Sequence, residues 1–453
     1  MTSNSVFPLF SKLNQLKIYQ WLVIFIVVAI VFRLIISMYI GDTTHNLPGT
    51  FDEVSYDMLA QQVLSGNGFT VTEDWWPATK AGEPTAHWSY LYTLFLTAVY
   101  AIFGHHPLAA RIIQAILAGI FMPLLAYRVG RRYFDSNVGL VAAGLSVIYI
   151  YFIYYAAALV TETFYIITAL WSLDVVGKLV DDLKTTKSVH WQDGLLLGLA
   201  LALTILLRQV FLLFVPILFI WLLWQSYRCQ VKSVLQMMKV LIIVTSIIVL
   251  SIIPWTIRNY QAFNTFVLLN TNAGFAFYWG NHPIHGYNFI SILPADGPSY
   301  YELLPPELLH LNEAELDRAL LARSVQFIRA DPFRYIILSI SRIKDYFKFW
   351  PSSNSGLISN MSRVLSFGLL LPLMIYGLVR HLSHSLLSKN LILYLFVISY
   401  SGIHLLSWAL IRYRLPVDTI LIIFASLTII EIGNAIQRRQ FKTQNPLKVG
   451  SVR

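Results

Sequence analysis

Charge is scarce in this chain of 453 residues. Asp, Glu, Lys and Arg together make up 12% of it, about half of what a soluble domain carries. A water-soluble enzyme of this size is thereby excluded, because too few charges remain to cover its surface. Cysteine is nearly absent: the single Cys229 rules out an internal disulfide and leaves the redox compartment open. Acidic residues are the scarcer sign, 23 against 33 Lys and Arg, for a formal net charge of +10. In a chain this apolar the excess has the signature of cytoplasmic loops rather than of nucleic-acid binding. Internal repeats are also missing, so the repeated halves common among transporters find no support.

Apolar sequence fills the space. Hydrophobic residues make up 57% of the chain, in runs such as WLVIFIVVAIVFRLIISMYI (21–40) and VLIIVTSIIVLSIIPW (240–255). These approach the roughly 20 residues needed to cross a bilayer. The expected fold is an all-α polytopic membrane protein with about ten transmembrane helices and juxtamembrane helices on its outer face. The spans are placed at about 20–40, 108–127, 138–157, 162–178, 192–207, 209–226, 237–256, 363–380, 390–408 and 414–432. The first has no small-residue cleavage site and reads as a retained helix. One set of connectors carries Lys12 and Lys17, Arg128, Arg131 and Arg132, Lys178, Lys184 and Lys187, Arg228, Lys232 and Lys239, Arg380 and Lys389, and Arg438, Arg439 and Lys442. The positive-inside rule puts this set in the cytoplasm. HWSYLYTLFLTAVYAIFG (87–104) is apolar enough to span, but a span there would move Arg128, Arg131 and Arg132 outside. It is read as a lipid-facing or re-entrant outer helix, with an eleventh span as the alternative.

The expected organisation is an N-terminal membrane catalytic module (1–256) with an outer loop at 41–107, a second outer segment (257–362), C-terminal transmembrane helices (363–435) and a cytoplasmic tail (436–453). In the second outer segment a helix is expected over 312–329. PFRYIILSISRIKDYFKFW, with Arg342, Lys344 and Lys348 among aromatic and aliphatic residues, reads as an interfacial helix. No large C-terminal soluble module is expected.

Few residues are left to carry chemistry, and they gather at the outer ends of spans. In FDEVSYDMLAQQVLSGNGF (51–69), Thr50 and Glu53 match a capping box, so Glu53 is expected to serve the helix start. Asp57 is expected on a solvated face. Asp52 is less well explained by capping. Glu162, in VTETF between two apolar runs, is a second acid at the same face; an ionisable group there is costly unless paired or wet. Arg208 interrupts LALTILLRQVFLLFVP, Arg258 ends IIPWTIRNY, and Arg412 and Arg414 stand in WALIRYRLPVD. For each arginine the bland alternative is a snorkelling interfacial side chain. Together, two acids and several arginines suit a phosphate to hold and a hydroxyl to deprotonate. His282 and His285 in GNHPIHGY form a weak metal signal, so no metal and no cofactor is assigned.

These motifs, in this order, resemble the GT-C membrane glycosyltransferases, and within them the dolichyl-phosphate-mannose protein mannosyltransferase and lipid A aminoarabinose transferase group. The resemblance covers about residues 20–435. It rests on Asp52-Glu53 with Tyr56 after the first span, Pro84 opening an aromatic helix, Glu162 after the third span, Arg208, and then PWTIRNY, TNAGFAFYWGNHP and RYRLPVD. It implies an inverting transferase that moves a sugar from a polyprenyl-phosphate donor to a protein, lipid or glycan acceptor. The partners are then the lipid-linked donor, an unidentified acceptor and the bilayer, with no nucleic acid. Localisation in the plasma (inner) membrane is implied, with the site on the extracytoplasmic face. Carried over, Asp52 is the catalytic base and Glu162 the second catalytic acid residue. Glu53, Tyr56, Arg208, Arg258, His282, Arg412 and Arg414 are substrate-binding. Members of the family differ in metal use. At the second acid and at the basic position this chain has Glu162 and Arg208 where the aminoarabinose transferase has Asp and Lys, which leaves the sugar open. The competing classes are a lipid or sugar transporter or flippase without covalent chemistry, and an assembly subunit. A separation of Asp52, Glu162 and Arg208 beyond about 15 Å would favour the alternatives, because catalytic groups must reach one substrate.

Overall fold

A computed structural model describes residues 15–45, 52–229, 231–294, 296–353, 355–385 and 388–444. The described chain is a helical bundle. Its helices are α1 (Gln15–Ile40), α2 (Asp52–Leu64), α3 (Tyr90–Phe103), α4 (Pro107–Tyr133), α5 (Ser136–Ile148), α6 (Ile150–Ala157), α7 (Glu162–Thr185), α8 (Trp191–Leu207), α9 (Val215–Cys229), α10 (Val231–Phe263), α11 (Ala273–Asn281), α12 (Glu313–Ala330), α13 (Pro332–Tyr346), α14 (Leu357–Ser362), α15 (Leu369–Ser385), α16 (Leu391–Leu406) and α17 (Ile411–Gln444). One apolar core runs through the bundle, from Tyr56 of α2 to Ile430 of α17.

Each of the ten expected spans is helical. Among the described residues, seven helical segments are long and apolar enough to cross a membrane, eight when α5 and α6 count as one span bent by 56°. The shorter apolar helices α8 and α16 supply the other two. α3 has 14 residues and reaches about 21 Å at 1.5 Å per residue, well short of a hydrocarbon core of roughly 30 Å. It buries Tyr92, Leu96 and Tyr100, with α2 and α4 among its neighbours. The central helices are α7 and α17, each 83% buried over its apolar window, whereas α1 is 17% buried and lies at the edge.

Polarity divides the bundle into two ends. At one end Asp174 of α7, buried, pairs with Arg128 (2.6 Å) and Arg132 (2.7 Å) of α4. Asp181 pairs with Lys389 (2.6 Å), and Asp193 with Lys178 (2.6 Å). These cations belong to the connectors that the charge rule assigns to the cytoplasm. At the other end of α7 stands Glu162. The nineteen residue steps from Glu162 to Asp181 correspond to about 28 Å of helix, close to the thickness of a hydrocarbon core.

The segments expected on the outer side fold partly as expected. α12 is capped by Asn312, whose side chain accepts Glu315 N–H in a full capping box. α13 is amphipathic, but Arg342 points inward, correcting the expectation that it faces lipid headgroups. It is wholly buried and donates to Asn281 Oδ1 (2.8 Å), to Leu405 O (2.9 Å) and to Gly280 O. The exposed stripe is instead Phe333, Ile336, Ile340 and Ile343. Thr50, the expected N-cap of α2, lies outside the described residues.

Candidate active site

Four helix ends meet at the opposite end from the Asp174, Asp181 and Asp193 ion pairs. Asp52 opens α2, Glu162 opens α7, Arg208 stands in the break after α8, and Arg412 lies in the first turn of α17. Both acids occupy helix N-termini, where the exposed N–H groups and the macrodipole favour negative charge. Arg208 ends α8 in an extended conformation (φ −149°, ψ 107°) while its N–H still bonds Thr204 O. The break is what swings its side chain across to α7.

Ion pairs link the four residues in one chain. Arg412 Nη1 donates to Asp52 Oδ2 at 2.6 Å, and Arg412 Nε lies 3.8 Å from Glu162 Oε1. Arg208 Nη2 donates to the same Oε1 at 2.5 Å, and its Nε to Thr161 Oγ1 at 2.9 Å. Two acids and two guanidiniums therefore fall within a single substrate's reach, and the 15 Å criterion is met by direct contact. The side chain of Glu162 is 2% exposed, those of Arg412 and Arg208 12% and 15%, and that of Asp52 20%. The cluster thus opens on the Asp52 side. Buried and without a hydrogen-bond partner are Glu162 Oε2 and Arg412 Nε.

Aromatic rings enclose the charges. The Tyr413 ring lies 5.2 Å from both guanidinium carbons, and Tyr165 lies 5.9 Å from that of Arg208. Such cation–π contacts hold guanidiniums without consuming their N–H donors. Tyr56, one helical turn beyond Asp52, packs edge-on against Trp88 and Tyr92, and its oxygen accepts Ser89 N–H at 3.4 Å. Burial, reinforced by the charge of Asp52, pushes its hydroxyl above the ordinary tyrosine value, so Tyr56 is a neutral group beside the cluster.

Four other expected site residues do not join it. Glu53 is wholly buried, and its two oxygens are filled by both terminal nitrogens of Arg111 and by Leu159 N–H (3.0 Å). That corrects its reading as a substrate ligand. Arg258 donates to Thr85 O and Phe69 O, both at 2.8 Å, and to Tyr90 Oη at 3.1 Å; it clasps the outer loop. Arg414 is fully buried, bonded to Asp418 and Tyr346 O, with its guanidinium 3.3 Å from the centre of the Phe367 ring. His282 ends α11, where its Nδ1 accepts Ile284 N–H. Burial and the neighbouring charge of Arg334 lower its pKa to about 4. Asp57 is not solvated either: it is buried and accepts from Tyr100 Oη (2.5 Å) and pairs with His105 (2.9 Å).

Arg111 and Gln114 were passed over. They stand three residues apart in PLAARIIQAIL, near the start of α4, and are fully buried. Gln114 Nε2 donates to Ala156 O (3.0 Å) and Ala158 O (2.7 Å), and Arg111 Nη1 to Ala157 O (2.7 Å). They satisfy the carbonyls of the turn leading to Glu162, groups that cannot stay unpaired at this depth. The signal was there to read: two polar residues one turn apart inside an apolar span.

Residues 88–255 match the sequence profile of the dolichyl-phosphate-mannose-protein mannosyltransferases. The matched stretch contains Glu162 and Arg208 and stops short of Asp52 and Arg412. The whole bundle superimposes on the oligosaccharyltransferase of Archaeoglobus fulgidus in its apo form, with a TM-score of 0.58 and 14% identity over 96% of this chain. The helical fold is thus shared with the membrane part of that archaeal structure. The same archaeal enzyme in complex with an inhibitory peptide and a dolichol-phosphate aligns at a TM-score of 0.56 and 12% identity, again over 96% of this chain. This chain spans about half the length of those structures, 52% in both cases. A comparison with curated protein sequences finds no match. The acid–arginine cluster occupies one end of this helical bundle. Among the described residues no group of three or more His, Cys, Asp or Glu side chains is placed to hold a metal ion.

Proposed function

We propose that this protein transfers a sugar from a polyprenyl-phosphate donor to a hydroxyl of a protein, lipid or glycan acceptor, with inversion, on the extracytoplasmic face of the plasma membrane. The observation that carries the reading is the continuous chain Asp52–Arg412–Glu162–Arg208. It sets a partly open carboxylate against the Arg412 guanidinium, with Glu162 linking that guanidinium to Arg208. In the reaction, the acceptor oxygen attacks the anomeric carbon and gives its proton to Asp52. The bond from that carbon to the phosphate oxygen breaks, and polyprenyl phosphate leaves with one more negative charge than it had in the donor. Arg208 and Arg412 stabilise that charge as it develops, and Glu162 orients Arg208 and the acceptor. Phosphate leaves without general-acid help, so one base suffices, unlike the carboxyl pair of a glycosidase. No metal or other cofactor is required on this reading, since the guanidiniums fill the electrophilic role.

The matched mannosyltransferase profile and the dolichol-phosphate complex of the archaeal enzyme support this substrate class. A transporter would need none of the base chemistry, and an assembly subunit would have no use for a buried acid, Glu162, with an unmade hydrogen bond. The test is to incubate purified protein with a panel of polyprenyl-phosphate sugars, with and without EDTA, and measure release of polyprenyl phosphate. Release from one donor, unaffected by EDTA and abolished in Asp52→Asn, is expected. Translocation of intact donor without cleavage would replace this reading with the flippase alternative.

A further inference from the structure

The base of the proposed reaction is already occupied. Arg412 Nη1 donates to Asp52 Oδ2 at 2.6 Å, and Nη2 lies 3.5 Å from Oδ1, so one guanidinium spans both carboxylate oxygens. A carboxylate held by a guanidinium across both oxygens has its charge stabilised and its basicity lowered, so it is a poor acceptor for the proton of an attacking hydroxyl. The hold on Arg412 is itself incomplete. Its Nε is buried with no hydrogen-bond partner, and Glu162 Oε2 is likewise unpartnered. Buried polar atoms are ordinarily satisfied, so exceptions call for an explanation. A pair left short of one bond at each side is set to exchange partners when an anion arrives. Tyr413 supports Arg412 from its ring face, a contact that survives a shift of the guanidinium edge from one anion to another.

We propose that Arg412 is a gate: it holds Asp52 until the phosphate of the lipid donor arrives, then transfers to that phosphate and releases Asp52 to act as base. The inference rests on the transferase reading. It dictates the order of binding, donor before acceptor, because an acceptor arriving first meets a masked base. It also matches the movement of charge. As the acceptor proton reaches Asp52 the carboxylate loses its charge, and as the sugar–phosphate bond breaks the phosphate gains one. A single guanidinium placed between the two can follow the charge.

The competition can be measured without knowing the sugar. Farnesyl phosphate is titrated calorimetrically into the full detergent-solubilised chain as wild type, Asp52→Asn, Arg412→Gln and the double variant, with thermal unfolding as a folding control. Removing the competing carboxylate should tighten binding by about tenfold in Asp52→Asn, the factor that 1.4 kcal/mol represents. In the Arg412→Gln background the same Asp52→Asn change should alter binding less than about threefold, because no gate remains to be freed. An equal gain in both backgrounds would reduce the effect to general electrostatics and overturn the gate. Unchanged affinity in Asp52→Asn would also overturn it, while leaving the donor reading in place. Failure of all folded variants, wild type included, to bind farnesyl phosphate would overturn the gate and the donor reading together.

Discussion

Glu53 and Arg111 form a fully buried ion pair that ties the start of α2 to the start of α4. Arg111 also holds Thr43 O (2.8 Å) and Ala157 O (2.7 Å), while Glu53 accepts Leu159 N–H. One pair of residues therefore fixes both strands of chain that deliver the acids: Asp52 is adjacent to Glu53, and Glu162 lies three residues beyond Leu159. Two acids from distant parts of the sequence keep their mutual position because they are anchored to the same salt bridge.

Breaking that pair should be costly to stability. Arg111→Met leaves Glu53 charged and buried, and Glu53→Gln does the same to Arg111; each should cost about 3–5 kcal/mol. The double variant Glu53→Gln/Arg111→Met removes both charges and should recover a large part of the loss. Thermal unfolding in detergent reads this directly. Sugar transfer should not recover in the double variant, because the turn at 156–159 loses the Arg111 bond that positions Glu162.

Substitution inside the cluster should act on rate rather than fold. General-base catalysis contributes about 10²–10⁴ in rate. Asp52→Asn should accordingly lower turnover of the cognate donor by about that factor with the melting temperature nearly unchanged, since Asp52 is the most exposed member. Arg208→Lys keeps the charge and loses the fork geometry that spans Thr161 and Glu162. It should retain measurable activity, with a weaker apparent affinity for the donor. An Asp52→Asn protein that turns over normally would remove Asp52 from the role of base.

Much of this arrangement was legible from residue types and topology. Charge alternation between connectors placed Asp52, Glu162, Arg208 and Arg412 at one end, and the helix-breaking turns beside the last three put them at span termini. Which arginine serves the site was not legible. Arg258, Arg412 and Arg414 look alike in sequence, each at the outer end of a span, and only packing separates them. Arg414 finds Asp418 one turn along its own helix, Arg258 finds the carbonyls of the outer loop, and Arg412 alone of the three faces Asp52. Glu53 and Asp57 were misread for a related reason. Their partners, Arg111 from α4 and His105 after α3, are 58 and 48 residues away, and no local pattern announces a contact at that range.

Close packing around α11 gives a prediction at the edge of the site. A Cβ at Gly280 would overlap the carbonyl of Ser407, in the turn that runs on to Arg412, whereas a Cβ at Gly402 would meet nothing within 4 Å. Overpacking of this kind costs about 1–3 kcal/mol. Gly280→Ala should therefore lower the melting temperature and also weaken farnesyl phosphate binding, because the displaced turn carries the start of α17. Gly402→Ala, in a membrane helix with open space beside it, should change neither.

The outer segment carries a built-in sensitivity to acid. His285 is buried, its Nδ1 accepts Ile290 N–H (3.3 Å), and its Nε2 therefore carries the proton donated to Trp279 O (2.8 Å). A second proton would have to enter at Nδ1, against an N–H that already points there. Burial is the largest cause holding its pKa down at about 4, with the charge of Arg342 acting in the same direction and the bond to Trp279 opposing it. Above the unfolded value of about 6.5 the imidazole is neutral in both states, and its stabilisation is complete. As pH falls from there toward 4, the unfolded chain takes up a proton that the folded chain refuses, so stability declines through that window by about 2 kcal/mol at pH 5. Unfolding followed from pH 8 to pH 4.5 should show the decline, and His285→Gln should flatten it, since a glutamine amide has no proton to gain. A decline of the same size in His285→Gln would show that other groups cause it.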